Sequence, residues 1–106
     1  MKRSIEYTIF KLPPRLSLKG IPYAFIPHPI SLMDYVPVYQ GKLYAKDNQK
    51  TNDILEDIFQ FINEGILPDY YSMDMCSGDV IMLVENNKRE FWYCDICGWE
   101  KTNEEN

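Results

Sequence analysis

The strongest constraint on the fold is an apolar run at residues 79–84, Asp-Val-Ile-Met-Leu-Val. Its apolar and β-branched content is typical of a buried strand. A polar break follows at residues 86–89, and residues 90–94 then have the aromatic content of a second strand. A break of about four residues suffices for a hairpin and is far too short for a parallel crossover. We therefore predict an antiparallel hairpin at the centre of the core.

The first half of the chain predicts strands joined by an irregular segment. Residues 4–12 alternate between apolar and more polar side chains, which predicts a strand with one wetter face. Residues 15–34 contain a glycine and several prolines that forbid a long helix, so we expect an irregular wrap. Residues 35–45 predict a small hairpin or a bent strand. Pro37 would lie at a sheet edge, because proline has no N–H to donate to a ladder.

One helix is predicted, over about residues 52–64. Thr51 or Asn52 is expected as its N-cap and Gly65 as its C-cap. Apolar residues recur on one face at helical spacing, and these are Ile54, Leu55, Ile58, Phe59 and Ile62. That face should pack on the sheet. The predicted fold is therefore α+β, with a small, mainly antiparallel sheet packed against one main helix.

The length of 106 residues predicts one domain, over residues 1–101, with a flexible polar tail at residues 102–106. No stretch has the roughly 18 to 20 apolar residues of a membrane span, and the N-terminus is too polar for a signal peptide. We therefore expect a cytoplasmic protein that does not bind membranes. Three cysteines do not make a secreted disulfide framework, so reduced thiols are expected.

The net charge is −5, from sixteen acidic and eleven basic residues. Binding to nucleic acid through its phosphates needs a basic face, so direct nucleic-acid binding is disfavoured. An acidic surface suits a basic partner instead, which includes the nucleic-acid channel of another protein. A charge of this size is also common in proteins that only need to stay soluble.

The pair Cys94 and Cys97 has the Cys-x-x-Cys spacing of a metal site. Cys76 and His28 are the remaining residues that could complete four zinc ligands. A redox dithiol is a second alternative, but the motif follows a strand and does not open a helix. The favoured interpretation is that these cysteines are small apolar side chains beside the core. We predict no cofactor and no catalytic residues, because the chain has a single histidine and no phosphate-binding glycine loop.

The aromatic content suggests a binding surface. Several tyrosines fall in segments expected at sheet edges or loops, where tyrosine is enriched in interfaces: Tyr35, Tyr39, Tyr44, Tyr70 and Tyr71. The alternative is that they complete a small core. With their acidic neighbours, the predicted partner-binding residues are Asp69, Tyr70, Tyr71, Asp74 and Asp79. We expect charge reversal of these aspartates to weaken partner binding, with Asp79 the weakest candidate because it precedes a buried strand.

Several segments, in order, match a known pattern of small bacterial domains. They are the opening strand at residues 5–10, a tyrosine-valine-tyrosine-glycine segment at residues 35–43, the helix at residues 54–63, Pro68-Asp69-Tyr70, Ser77-Gly78-Asp79-Val80-Ile81, and an aromatic, aspartate, glycine-aromatic turn at residues 93–99. With these segments the chain resembles the YodL-like family, whose members occur largely in phage and mobile elements. In the last turn it departs from the family by carrying cysteines, so the resemblance does not imply zinc.

The resemblance implies a biological context rather than a mechanism, because it implies no established enzymatic activity. Small acidic proteins of phage and mobile elements frequently inhibit host defence nucleases. We therefore expect a non-enzymatic, anti-CRISPR-like inhibitor that acts in the bacterial cytoplasm, as a monomer or weak dimer. Its acidic, aromatic surface would bind a CRISPR effector nuclease and block nucleic-acid binding or a conformational step. The alternatives are an adaptor or regulatory module of a mobile element with an unrelated partner, and a small zinc-binding domain.

Overall fold

The computed structural model describes residues 3–13, 16, 20–26, 32–64, 77–96 and 98–102. The described residues form a five-stranded sheet, one α-helix and two short 3-10 turns. The strands are β1 (Arg3–Lys11), β2 (Val36–Ala45), β3 (Val80–Glu85), β4 (Lys88–Asp95) and β5 (Gly98–Thr102); the helix is α1 (Thr51–Asn63); the 3-10 turns are Tyr23–Phe25 and Leu32–Asp34.

The strands lie in the order β2-β1-β3-β4-β5, and every neighbouring pair is antiparallel. The predicted α+β architecture, with an antiparallel sheet and one helix, is confirmed at this level. The sheet is larger than the small one predicted, and α1 is a minor element beside it. The difference arises at the two edges, where β2 is a single long strand and polar residues near the C-terminus form β5.

The predicted central hairpin is confirmed as β3 and β4. Its reversal is tighter than expected, because Asn86 and Asn87 alone form the turn, with φ of 52° and 65°. Positive φ at both central residues is what a two-residue type I′ hairpin turn requires, and asparagine tolerates it. Lys88 and Arg89, which were expected in the break, are therefore the first residues of β4.

The helix lies where the sequence predicted it, and its apolar face packs on the sheet. Ile54, Leu55 and Ile58 are at most 1% exposed and join a cluster with residues of β1 and β3. The predicted N-cap was wrong: Lys50 occupies that position, and no side chain caps the helix. Glu64 is the C-cap residue, and Gly65 lies outside the described residues.

The strand β2 is the bent strand among the two predicted alternatives. It pairs with β1 along its whole length, with a register shift opposite Ile9 and Phe10 that leaves Val38 as the extra residue of a bulge. Pro37 lies on this edge strand, as predicted. Gly41 is a mid-strand residue rather than part of a turn, and it lacks the positive φ of the turn glycines.

The second face of the sheet is covered by the segment between β1 and β2. Ile26 and Tyr35 pack there against Val80, Phe91 and Tyr93. The described parts of this segment are irregular apart from the two 3-10 turns, in agreement with the predicted wrap. Because this end of the sheet is covered on both faces, polar residues of β1 are buried too, notably Thr8 and Lys11.

The C-terminal residues extend the sheet further than predicted. Thr102, assigned by sequence to the flexible tail, is the last residue of β5, pairs with Phe91 and is 4% exposed. Residues 103–106 lie outside the described residues. The helix α1 has 13 residues, and nowhere in the described part of the chain is there a helix with the length and apolar character needed to cross a membrane.

Three buried tyrosines predict a loss of stability at alkaline pH. Burial raises the pKa of Tyr7 and of Tyr93 to about 12 and also raises the pKa of Tyr35. Because the unfolded pKa is about 10, their stabilising effect is complete below pH 10 and falls as the pH rises toward 12. Each tyrosine that ionises only in the unfolded chain adds a slope of about 1.4 kcal/mol per pH unit. Urea unfolding from pH 8 to 11.5 should show this decline.

The control for this prediction is Tyr7→Phe, which removes one ionisable group and keeps the ring. The decline in the free energy of unfolding should be shallower in this variant. A wild-type stability that stays constant over the same pH range would contradict the prediction.

Candidate protein-binding surface

Asp79, one of the predicted partner-binding residues, lies in the interior of the domain. It is 5% exposed, and its Oδ2 lies 2.6 Å from Nζ of Lys11, which is 6% exposed. The pair is buried because Asp79 precedes a central strand that both clusters of core residues cover. Asp79 therefore offers no exposed carboxylate to a partner. The other predicted residues, Asp69, Tyr70, Tyr71 and Asp74, lie outside the described residues.

The Ser-Gly-Asp motif that precedes β3 holds the chain at the start of this strand. Ser77 Oγ accepts a hydrogen bond of 2.7 Å from the N–H of Gly20. Gly78 has a φ of 97°, which favours glycine, and its carbonyl accepts a hydrogen bond of 2.8 Å from the hydroxyl of buried Tyr35. With the ion pair of Asp79, each residue of the motif has a structural role.

Of the four candidate metal ligands, only Cys94 lies in the described part of the chain. Cys94 is buried in β4, and its N–H donates a hydrogen bond of 2.8 Å to the carbonyl of Asp79. Cys97, Cys76 and His28 lie outside the described residues. Among the described residues, no group of three or more histidine, cysteine or acidic side chains could hold a metal ion. The zinc hypothesis thus has a single described ligand, Cys94.

The predicted tyrosine surface is largely part of the core where it is described. Tyr35 is 8% exposed, and Tyr39 is half-buried with its ring stacked on Tyr7 at a centroid distance of 6.1 Å. Tyr44 is 65% exposed, with Lys42 Nζ 5.6 Å from its ring centroid. Of these tyrosines, Tyr44 alone has the exposure expected of a contact residue.

The turn between β4 and β5 places an aromatic side chain against the helix. Asp95 Oδ1 accepts hydrogen bonds from the N–H groups of Tyr23 and Ile96, and Gly98 has a φ of 105°. Across this turn, Trp99 Nε1 donates a hydrogen bond of 2.9 Å to Glu56 Oε1 on α1. The aspartate and glycine-aromatic residues of the closing motif therefore connect β5 to the helix.

The outer side of α1 carries a cluster of acidic side chains. Residues 51–64 contain no lysine or arginine. We call the four acidic side chains of this segment the acidic face; they are Asp53, Glu56, Asp57 and Glu64. All except half-buried Asp57 are exposed. Their spacing places them on the side of the helix that faces away from the sheet.

Aromatic side chains border the acidic face. Phe59 and Trp99 are half-buried, with ring centroids 6.2 Å apart and planes at 83°. Besides Glu56, two of the carboxylates accept hydrogen bonds, from Gln49 to Asp57 at 2.9 Å and from Gln60 to Glu64 at 3.0 Å. From the sequence, helical spacing indicates only that Glu56 and Asp57 fall opposite the apolar face. The absence of basic residues from the whole segment was the signal that could have indicated a surface.

A cleft of about 420 Å³ lies at the far end of the sheet from Asp79, beside the start of α1. Arg3 and Glu85 line it and form a two-pronged ion pair, with two N–O distances of 2.7 Å. Hydrogen bonding to Arg3 lowers the pKa of Glu85 and, in return, the pKa of Arg3 is raised. Arg3 also donates a hydrogen bond of 2.7 Å to the carbonyl of Gln49. The pair thus connects β1, β3 and the segment before the helix.

The architecture is that of an α+β domain with an antiparallel sheet, one helix and an acidic helix surface. Residues 9–104 match the family model of the YodL-like domain. Because the match covers most of the sequence, the chain belongs to the YodL-like domain family, as the resemblance of its motifs suggested. Neither a curated protein nor a solved structure matches the chain.

Proposed function

We propose that the protein is a non-enzymatic, protein-binding inhibitor of a host defence nuclease, and that the acidic face of α1 is its contact surface. The observation that carries the proposal is the run of four carboxylates, without a basic residue, on the outer side of one helix. At a rise of about 1.5 Å per residue, Asp53 and Glu64 lie about 16 Å apart along the axis. A row of negative charge of this length suits a groove lined by arginine and lysine.

The physical case rests on charge and rigidity. A basic groove that binds nucleic acid attracts negative charge over several ångströms, so an acidic helix gains both rate and specificity of association. The helix is anchored to the sheet by buried Ile54, Leu55, Ile58 and Ile62, so little ordering is needed on binding. The half-buried rings of Phe59 and Trp99 add aromatic contact area beside the charges.

The proposed target is a CRISPR effector nuclease. Such an enzyme holds the guide and target strands in a positively charged channel and reads the adjacent DNA motif with arginine. An acidic domain that occupies this channel would block nucleic-acid binding or the conformational step before cleavage. The occurrence of YodL-like domains in phage and mobile elements supports this setting, in which the protein acts inside the bacterial cell.

A pull-down tests the proposal directly. The purified chain is added to a lysate that contains a CRISPR nuclease, and DNA cleavage is measured with the chain added before or after the guide RNA. We expect co-purification and loss of cleavage, and the order of addition locates the blocked step. Capture of an unrelated protein with cleavage intact would favour the adaptor alternative. Absence of binding would remove the proposal, and metal analysis would then test the zinc alternative.

Charge reversal tests whether the acidic face is the contact surface. In Asp53→Lys/Glu64→Lys, the hydrogen bonds at Glu56 and Asp57 remain, and the inhibitory potency should fall by about tenfold or more because close charge pairs are replaced by repulsion. The matched control is Asp34→Lys/Glu100→Lys, which makes the same charge change at exposed positions outside α1. Equal potency of the two variants would show that another surface binds the partner.

A further inference from the structure

The strand β2 is an edge strand of unusual character in the described sheet. Within the described part of the chain, it has a strand neighbour on its β1 side only. It is ten residues long, and Lys42 is its one charged residue. The other edge strand, β5, has five residues and carries Glu100 and Lys101. Short length and charge are usual protections of a sheet edge; β5 has both, whereas β2 is long and has a single charged residue.

Apart from Lys42, the protections of β2 lie at its first end. Pro37 and the bulge at Val38 disturb the ladder there. From Tyr39 to Ala45 the pairing with β1 is regular, and the side chains of Gln40, Lys42 and Tyr44 are exposed. From Gln40 to Tyr44, this half of the strand has alternate side chains exposed at the edge of the described sheet, where another strand can pair.

We propose that two copies of this chain associate through antiparallel pairing of their β2 strands, about a two-fold axis at Gly41. Such an axis, perpendicular to the sheet, pairs residues at equal distances on either side of Gly41. Tyr39 then faces Leu43 of the second copy, and Gln40 faces Lys42 of the second copy. Exposed Tyr44 comes beside exposed Val38 of the second copy, which is an aromatic and β-branched pair.

Charge and the bulge select this register over its neighbours. An axis at Lys42 would place the two Lys42 ammonium groups directly opposite each other, which is destabilising. An axis at Gln40 would place the irregular Val38 against Lys42 and shorten the regular ladder. With the axis at Gly41, no like charges face each other. Apolar side chains of the two copies instead meet each other, Tyr39 with Leu43 and Tyr44 with Val38.

The paired copies form one continuous sheet with both α1 helices on the same face. The interface consists of two short strand edges, so it falls at the small end of the range for specific contacts. We therefore expect a dissociation constant between about 10 μM and 1 mM. This dimer does not depend on the proposed function, because β2 and the acidic face of α1 are separate surfaces.

Sedimentation equilibrium of the purified chain over this concentration range tests the dimer. The average mass should rise from monomer toward dimer and no further, and exchange of the β2 amide hydrogens should slow as concentration rises. A mass that stays monomeric would overturn the proposal, as expected if β2 instead binds an extended segment of another protein. A mass that rises past the dimer would also overturn it, because a two-fold contact closes on itself.

Substitutions at Gln40 test the register. Gln40→Lys creates two like-charge pairs across the axis and should weaken the dimer about tenfold, whereas Gln40→Glu creates two opposite-charge pairs and should strengthen it about fivefold. Asn48→Lys is the control, since it adds the same charge at an exposed position outside β2. Circular dichroism confirms that the variants fold. Equal dissociation constants for the Gln40 variants and wild type would show that the pairing at Gly41 is wrong.

Discussion

Asp79→Asn is expected to lower the free energy of unfolding by about 3–5 kcal/mol, because it removes the carboxylate that is paired with the buried Lys11 ammonium. The two side chains are each 8% exposed and 2.6 Å apart, so water does not replace the lost partner. For a domain of this size the loss is a large fraction of the total stability of about 5–15 kcal/mol. Urea unfolding monitored by tryptophan fluorescence measures it.

Two comparisons separate the buried charge from other effects of the substitution. In Lys11→Met/Asp79→Leu both charges are removed, and the stability should return to within about 1 kcal/mol of wild type if the side chains pack. Glu85→Gln breaks the ion pair between Glu85 and Arg3. Because both side chains are 26% exposed, the substitution should lower the free energy of unfolding by about 1 kcal/mol or less. If Asp79→Asn cost no more than Glu85→Gln, burial would not be the source of its effect.

Gly41→Ala is expected to destabilise the domain by about 1–3 kcal/mol through overpacking. A Cβ at position 41 would lie 2.5 Å from Cζ and from Oη of Tyr7, closer than any real contact. The Tyr7 ring cannot move aside freely, because it is 3% exposed and stacked on Tyr39. The glycine is therefore required by a close approach of a ring to the strand. Thermal or urea unfolding of the variant measures this loss of stability.

A double-mutant cycle identifies the ring as the cause. Tyr7→Leu removes the atoms that the new methyl group would meet, so Gly41→Ala should cost less in that background, with a coupling of about 1 kcal/mol or more. Gln40→Ala at the adjacent exposed position should change the stability by about 0.5 kcal/mol or less. An equal cost of Gly41→Ala in both backgrounds would show that Tyr7 is not responsible.

The elements with strong local patterns were predicted correctly. The β3–β4 hairpin was recognisable because an apolar run, a polar break and an aromatic run follow one another within a short stretch. The apolar face of α1 was recognisable from its helical spacing. The N-cap was not, because Lys50 takes this position without a capping hydrogen bond. Local capping preference did not decide the start of this helix; the packing of its buried face on the sheet did.

In the candidate sites, too, local patterns predicted some features and tertiary packing decided the others. The sequence placed Asp79 among the acidic partner-binding residues, as the weakest candidate because it precedes a buried strand. The packing of β1 beside β3 brings Lys11 to it and buries both. Helical spacing predicts that α1 has a polar side. It does not predict that Phe59 and Trp99 border the acidic face on that side. Trp99 reaches Glu56 because β5 packs beside α1, which is distant from it in the sequence.

The sequence by itself determined the α+β class, the central hairpin, the helix and the membership in the YodL-like family, since these depend on patterns within short segments. Only the tertiary structure decided which strands form the sheet edges, why Gly41 is a glycine and where Asp79 lies. The physical reason is that strand order, close approach and the burial of charge depend on pairs of residues distant in sequence. No local pattern records those pairs.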